Sequence, residues 1–175
     1  MLFIYKICYN NHIYEVIKLK AVYPGSFDPF SNGHLDIVNR ASKLFSELHI
    51  LVSYNISKNS NFSVNERIEL IKKSTGHLKN VYVDCFDGLV VEYCKNNNID
   101  VMIRGLRNYT DYENEFTLFQ YNKDIAPEIE TILLLPSSKN QFVSSSAIKE
   151  LVKFNCDISK YVPQEIVNDV YNKLK

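Results

Sequence analysis

The fold of this chain is decided by residues 19–45, LKAVYPGSFDPFSNGHLDIVNRASKLF. The apolar run from Leu19 to Tyr23 predicts a β-strand, which Pro24 and Gly25 stop. From Asn32 to Phe45, apolar residues recur every three or four positions. This spacing predicts a helix with one buried stripe, made of Leu35, Val38, Ala41, Leu44 and Phe45. A strand that leads through a turn into a helix is the repeating unit of an α/β fold.

The same alternation of strands and helices continues to the C-terminus. Further strands are predicted at 48–54, 81–84, 101–103 and 130–135, and helices at about 89–96, 111–123, 144–153 and after Pro163. Ser63-Val-Asn-Glu66 is a capping box that begins another helix, and Gly76 ends it. The prediction is therefore an α/β single domain, with a five-stranded parallel sheet and helices on both faces.

Composition and charge exclude several classes of protein. Hydrophobic residues make up 46% and charged residues 23% of the chain, which is ordinary for a globular domain. Because 20 basic residues balance 20 acidic ones, we expect no nucleic-acid partner. No apolar run approaches the ~20 residues of a membrane helix, so no membrane partner is expected. Cys8, Cys85, Cys94 and Cys156 lack metal-site spacing, which favours reduced thiols in a cytoplasmic protein.

Residues 1–20 stand outside the alternation. Lys6 interrupts their apolar residues and no small-residue cleavage site follows, so a signal peptide is not expected. Three interpretations stay open for this segment: an extra strand, an extra helix, or an upstream translation start with no structural role.

Polar side chains follow most of the predicted strands. Residues 25–28 come after the first strand, Lys58 after the second, Arg104 and Arg107 after the fourth, and residues 144–146 after the fifth. Open parallel sheets bind ligands beyond the carboxyl ends of their strands, so these groups are expected to converge at one edge of the sheet. Hydroxyls, cations and helix N-termini together suit a polyphosphate, and we expect them to form a positively charged cleft.

The strongest local motif is Ser31-Asn32-Gly33-His34. Gly33 has no Cβ, which lets a phosphate approach the backbone closely. His34 lies in the first helical turn, where its imidazole can donate to a phosphoryl oxygen as charge builds there. A histidine in this place can also do no more than cap a helix, but the preceding residues 24–29 favour a ligand site. Asp28, in the turn, is expected to organise the loop.

Three motifs together resemble a known family. Tyr23-Pro-Gly-Ser-Phe-Asp-Pro29 with Asn32-Gly33-His34 resembles the HxGH nucleotidyltransferase superfamily. Ile103-Arg-Gly-Leu-Arg107 and Phe142-Val-Ser-Ser-Ser146 narrow the resemblance to the bacterial phosphopantetheine adenylyltransferases. It implies a Rossmann-like nucleotidyltransferase domain at 21–175, preceded by an N-terminal extension at 1–20 of unknown role.

The resemblance also implies a reaction and a site. The chain would transfer the adenylyl group of ATP to 4′-phosphopantetheine, giving dephospho-coenzyme A and pyrophosphate, by in-line attack without a covalent enzyme intermediate. The catalytic residues implied are His34, Lys58, Arg107 and Ser26, and those for phosphopantetheine are Ser26, Lys58, Val90 and Arg104. ATP binding is implied for Ser26, Phe27, His34, Gly105, Leu106, Arg107, Glu115, Asn140, Gln141, Phe142, Val143, Ser144, Ser145 and Ser146.

Further properties come from the resemblance alone. Mg²⁺ would enter with ATP, with no metal ligand from protein side chains. A homohexamer in the cytoplasm, with feedback by coenzyme A, is also implied.

Two alternatives stay open. One is another HxGH-type enzyme, a nicotinamide-mononucleotide adenylyltransferase or a cytidylyltransferase, which tends to carry a second histidine where Ser31 lies. The other is a non-catalytic nucleotide-binding protein, against which the presence of His34, Lys58, Arg104 and Arg107 together argues.

Overall fold

The N-terminal segment forms a small sheet of its own. The computed structural model describes the backbone of residues 4–9, 12–53 and 60–175, and the side chains of residues 18–53 and 60–175. Strands β1 (Ile4–Tyr9) and β2 (His12–Ile17) pair antiparallel, apart from the main sheet. Of the three interpretations of this segment, extra strands are therefore correct. Lys20, which the prediction placed in the N-terminal extension, begins the next strand. The division into an extension at 1–20 and a nucleotidyltransferase domain at 21–175 stays a prediction.

The main sheet is parallel and five-stranded, as predicted. Its strands are β3 (Lys20–Gly25), β4 (Glu47–Ser53), β5 (Val81–Phe86), β6 (Val101–Gly105) and β7 (Glu130–Leu134). They lie in the order β5-β4-β3-β6-β7, and all neighbouring pairs are parallel. The chain therefore builds one half of the sheet outward from β3, then returns to place β6 on the other side of β3.

The end of β3 corrects one prediction. Pro24 and Gly25 were expected to stop this strand, yet they pair with Leu51 and Val52 of β4. On the other side, the register of β3 with β6 covers Ala21 and Val22. Pro24 therefore lies beyond that ladder, where the N–H that a proline lacks removes none of its hydrogen bonds.

The helices follow the predicted alternation. They are α1 (Asn32–Ala41), α2 (Val64–Thr75), α3 (Val90–Asn97), α4 (Tyr109–Ile125), α5 (Ser145–Lys153) and α6 (Val167–Leu174), with 3₁₀ turns at Ser138–Asn140 and Gln164–Ile166. The capping box at the start of α2 is confirmed, since Ser63 accepts from the amide of Glu66 and the Glu66 carboxylate accepts from the amide of Ser63. No helix in the described part of the chain is both long and apolar enough to cross a membrane.

Helix α1 ends earlier than predicted. It stops at Ala41 instead of Phe45, and Leu44, expected in the buried stripe, is 68% exposed. Ile37, which the stripe omitted, is fully buried beside Val38. The helix therefore turns a slightly different face to the sheet than the spacing of Leu35 and Leu44 indicated.

The core lies on both faces of the sheet. Alternate residues of the central strands point to opposite sides: Ile50 packs with α1 and α2 on one face, and Leu51 packs with α3 on the other. The larger core also takes Ile148 of α5 and Val170 of α6. Helices cover both faces, as predicted.

The strand order fixes where a ligand can bind. Strands β3 and β6 are neighbours, and the chain leaves them toward opposite halves of the sheet. Their connections therefore diverge and open a crevice at the carboxyl end, which is the usual ligand position in open α/β sheets.

Candidate active site

A cavity of about 450 Å³ lies at the carboxyl ends of β3 and β6. Eleven of the residues implied by the resemblance line it: Ser26, Phe27, His34, Arg104, Gly105, Arg107, Glu115, Val143, Ser144, Ser145 and Ser146. Segments far apart in the chain thus meet at one place, where the rule for open sheets predicted them.

Three further predicted residues are not among the described residues that line this cavity. Val90 begins α3 and packs against the smaller core, and Leu106 donates its amide to the carbonyl of Leu134. Lys58 lies outside the described residues. The roles of these residues stay predictions.

Residues 140–142 take different positions from one another. Asn140 is buried, and its side chain bonds to Ser137 at 3.2 Å and Asp36 at 3.5 Å. The Gln141 amide group donates to the carbonyl of Arg107 at 3.1 Å. Phe142 is 69% exposed and lines a separate apolar groove of about 330 Å³. Of this predicted ATP-binding stretch, the structure brings residues 143–146 to the cavity.

The turn after β3 is closed by aromatic packing. Phe27 has φ 48°, in the left-handed region that a bulky residue rarely adopts, and its ring is buried. A Cβ on Gly25 would lie 2.8 Å from that ring, so only glycine fits there without displacing it. The Phe27 ring meets His34 edge-on at 5.1 Å between centroids, and Phe30 stacks on His34 at 5.6 Å.

His34 does cap its helix, and it does so in a second capping box whose other member, Ser31, sequence analysis did not identify. Its amide bonds to the hydroxyl of Ser31, and its Nδ1 accepts from the amide of Ser31 at 3.1 Å. Because a backbone amide can only donate, Nδ1 is an acceptor and the neutral ring carries its proton on Nε2. Within the described side chains Nε2 has no hydrogen-bond partner, so it is free to donate to a ligand. His34 therefore caps the helix and also lines the cavity.

The surroundings keep this imidazole neutral. Burial among the aromatic rings, and then the positive charge of Arg107, lower the pKa of His34 to about 4. The amide of Ser31 acts in the same direction, since it occupies the nitrogen that would take the second proton. At neutral pH the ring is a hydrogen-bond donor without a charge.

The opposite wall carries charges in pairs. Arg104, at the end of β6, makes a two-pronged bond to Glu115 of α4, with N–O distances of 2.5 and 2.6 Å. Arg107 bonds to Asp111 at 3.1 Å through Nε, and its amide also donates to that carboxylate. These side chains are 14–39% exposed, so water and ligands can reach them.

This pairing balances the charge of the described lining, and the expectation of a positively charged cleft, which includes Lys58, stays a prediction. The charged side chains of the described lining are two arginines and two carboxylates, which cancel. The physical reason is the start of α4, where the carboxylates of Asp111 and Glu115 face the arginines that follow β6. An anionic ligand must therefore compete with these carboxylates.

Asp111 is a cavity residue that sequence analysis missed. It lies four residues after Arg107, and its amide is capped by Asn108 at 2.9 Å. That spacing between opposite charges is a recognised signal of an ion pair near a helix start. Tyr23 was missed as well: it lines the cavity, and burial raises the pKa of its hydroxyl well above the ordinary value.

The serine triplet closes the cavity from α5. Ser144 caps this helix by accepting from the amide of Ala147 at 3.1 Å. Ser145 instead donates to the carbonyl of Pro29 at 2.8 Å, which ties α5 to the turn after β3. The N-terminus of α5 thus faces the cavity, where free amides favour an anion.

Comparisons with known proteins identify the family to which this fold belongs. The family model described as cytidylyltransferase-like matches residues 22–151. A solved structure of a candidate nicotinate-nucleotide adenylyltransferase from Vibrio parahaemolyticus superposes with a TM-score of 0.64 over 89% of this chain and 96% of that one, at 16% identity. The fold is thus one that nucleotidyltransferases use.

Curated relatives narrow the class. The phosphopantetheine adenylyltransferase of Clostridium botulinum (strain Eklund 17B / Type B) is 45% identical over 89% of this chain and 98% of its own length. Those of Thermosynechococcus vestitus and Nautilia profundicola are 45% and 42% identical, each over 86% of this chain and over 89% and 98% of their own lengths. The chain belongs to the cytidylyltransferase-like family and, within it, to the phosphopantetheine adenylyltransferases.

Proposed function

We propose that this chain transfers the adenylyl group of ATP to 4′-phosphopantetheine, giving dephospho-coenzyme A and pyrophosphate. The observation that carries the proposal is the crevice between β3 and β6, where a neutral imidazole donor and two arginines line one cavity. Relatives named phosphopantetheine adenylyltransferase, 42–45% identical over most of the chain, support this reaction.

The chemistry requires orientation and charge stabilisation from the protein, and no protein nucleophile. The acceptor phosphate is already ionised at neutral pH and attacks the α-phosphorus of ATP in line with the departing pyrophosphate. The Nε2–H of His34 is the donor for the charge that builds on the transferring group, as in other preorganised sites. Ser26 and Phe27, at the junction of β3 and α1, lie between the two substrates.

The arginines hold the phosphates by exchanging partners. Arg104 would leave Glu115 for the acceptor phosphate, and Arg107 would leave Asp111 for the phosphates of ATP. Each exchange replaces one charge-assisted bond by another, so it costs less than uncovering a bare charge. Lys58 would add a further cation on the acceptor side.

Mg²⁺ would enter with ATP. Within the described residues, no group of three His, Cys, Asp or Glu side chains is arranged to hold a metal ion. The cavity nevertheless suits an ion that ATP brings with it, because an ion held by nucleotide phosphates and water requires no ligand from a protein side chain. The ion would supply charge neutralisation between the phosphates of ATP.

Assembly and regulation complete the proposal. Helix α4 buries none of its residues, and its exposed apolar side chains are Tyr109, Tyr112, Phe116, Leu118, Tyr121 and Ile125. Tyr109, Tyr112 and Phe116 lie on one face of α4, and Leu118, Tyr121 and Ile125 lie on the opposite face. Exposed apolar side chains on both faces support a homo-oligomer, and the resemblance makes it a hexamer. Coenzyme A carries the same phosphopantetheine arm as the acceptor, which supports its role as a feedback ligand of a cytoplasmic enzyme.

The test is pyrophosphate release from ATP and Mg²⁺, measured with and without phosphopantetheine. We expect release that depends on phosphopantetheine, with dephospho-coenzyme A formed in equal amount. Release with nicotinamide mononucleotide in its place would favour the other HxGH-type enzyme. ATP binding without any release would favour the non-catalytic alternative.

A further inference from the structure

A buried carboxylate lies beneath the turn that carries Ser26 and Phe27. Asp28 is 6% exposed and accepts from the amides of Asn61 at 3.1 Å and Phe62 at 2.9 Å. The ammonium of Lys149, on α5, bonds to the same carboxylate. Three bonds from two other segments therefore satisfy this buried charge, which would otherwise be costly.

A buried guanidinium holds the same turn one residue earlier. Arg67, on α2, is 4% exposed and donates to the carbonyl of Ser26 at 2.8 Å and to that of Ser63 at 3.4 Å. No carboxylate lies within ion-pair distance of it among the described side chains. The hydrogen bond from this buried guanidinium to the Ser26 carbonyl is charge-assisted, so it holds that carbonyl firmly in place.

These bonds surround a strained residue. Phe27 lies between Ser26 and Asp28 with φ 48°, a conformation that costs on the order of 1–3 kcal/mol and persists only where neighbours over-determine it. The carbonyl before it is held by Arg67, and the carboxylate after it is held by Asn61, Phe62 and Lys149. The ring of Phe27 in turn covers His34.

The same side chains carry a charge excess. Asp28 supplies one negative charge, whereas Arg67 and Lys149 supply two positive ones. The charges of the described cavity lining cancel, so this excess beneath the turn favours an anion on the cavity side of it.

We infer that Asp28, Arg67 and Lys149 are positioning residues, which set the turn of Ser26 and Phe27 and, through Phe27, the imidazole of His34. None of the three lines the cavity, so none is expected to touch a substrate. The inference deepens the proposed function and rests on it, because it assigns His34 a role in turnover.

The test compares Asp28→Asn with a core variant of similar stability. Asp28→Asn keeps the shape of the side chain but removes its charge, and we expect kcat to fall by about tenfold to a hundredfold, as for a small misplacement of a reacting group. The KM for ATP should change much less. The control is Val170→Ala, a change in the buried face of α6. At a loss of Tm similar to that of Asp28→Asn, this control should keep kcat near the wild-type value.

A second measurement needs no activity. NMR titration of His34 should show its pKa near 4 in the wild type and in Val170→Ala. In Asp28→Asn it should rise toward the ordinary value, because Phe27 no longer covers the ring. Should Asp28→Asn fail to fold, Lys149→Met, whose side chain is 25% exposed, should show smaller changes in the same directions.

The outcomes separate the two proposals. Wild-type kcat and an unmoved His34 titration in both Asp28→Asn and Lys149→Met, with lowered Tm, would overturn the inference and leave these residues a structural role. If the wild-type protein forms no dephospho-coenzyme A, the proposed function fails, and the NMR titration still decides whether the three residues position His34.

Discussion

The two walls of the cavity are built in opposite ways. On the histidine side, formed by residues 25–30 and His34, aromatic rings are packed around the imidazole, and Phe27 is held in a strained conformation. On the arginine side, formed by residues 104–107 and the first turns of α4, the side chains are partly exposed charges in pairs. Helix α4 buries no residue at all.

This difference indicates a division of labour. A donor that stabilises a transition state works best when it is fixed before the substrates arrive, because it then costs no reorganisation during the reaction. Cations that receive charged substrates must exchange partners, which requires access and an alternative partner. We therefore expect loss of His34 to alter turnover and loss of Arg104 to alter binding, whereas Arg107 is implied in both ATP binding and catalysis.

The largest effect is expected from His34→Ala. Removing the Nε2–H donor should lower kcat on the order of 10²-fold or more, with little change in the affinity for ATP. Steady-state kinetics of purified protein measure this. His77→Ala removes an exposed histidine that bonds to Asn39 away from the cavity, and it should keep wild-type turnover. Normal turnover in His34→Ala would remove the histidine side from the mechanism.

Arg104→Ala tests the other wall. Loss of a charge-assisted bond to the acceptor phosphate should weaken phosphopantetheine binding by roughly 1–3 kcal/mol, with turnover at saturation nearly kept. Calorimetric titration with each substrate measures the change. Arg40→Ala is the control, since Arg40 bonds to the carbonyl of Leu135 and does not line the cavity. A loss of ATP affinity instead would mean that the two phosphate subsites are exchanged.

The depressed pKa of His34 predicts a pH dependence of stability. Its value of about 4 lies below the ordinary 6.5, so between these values the unfolded chain binds the additional proton. Stability from this group is full above pH 6.5 and is lost as the pH falls toward 4. From pH 7 to pH 5 the wild type should lose at most about 2 kcal/mol more than His34→Asn, whose side chain can still cap the helix.

Urea unfolding of both proteins at the two pH values measures this difference. The subtraction also removes the contribution of His49, whose pKa burial lowers too. Equal losses in the two proteins would contradict a neutral, enclosed imidazole at residue 34.

The smallest effect is expected from removal of residues 1–17. Strands β1 and β2 pair with each other and lie outside the five-stranded sheet. A chain that begins at Lys18 should therefore keep the wild-type kcat/KM for both substrates. Lost activity, or a smaller assembly in sedimentation, would show that the extension has a structural role.

Local signals in the sequence were enough for the arrangement of the fold. Alternating strands and helices indicated the parallel sheet, and Ser63 with Glu66 marked the start of α2. The predicted end of β3 was wrong because proline and glycine usually interrupt a strand. Here both residues pair with β4, and Pro24 lies beyond the ladder with β6. The predicted end of α1 was wrong because Leu44 and Phe45 continue the helical spacing of apolar residues after the helix has ended at Ala41.

The site was predicted in its position but not in the pairing of its arginines with carboxylates. Residues 26, 34, 104 and 107 were expected at one edge of the sheet, and they line one cavity. The bond of Arg104 to Glu115 joins a strand to a helix eleven residues later, and no helical spacing within one element reveals such a contact. The second capping box was missed because histidine is not the usual partner of a capping serine.

The most direct test of this division measures dephospho-coenzyme A formation at saturating ATP, Mg²⁺ and phosphopantetheine, for His34→Ala and Arg104→Ala side by side. The predicted result is a fall of at least about a hundredfold for His34→Ala and a rate close to the wild type for Arg104→Ala. Equal falls in the two variants would contradict the separation of turnover and binding between the two walls.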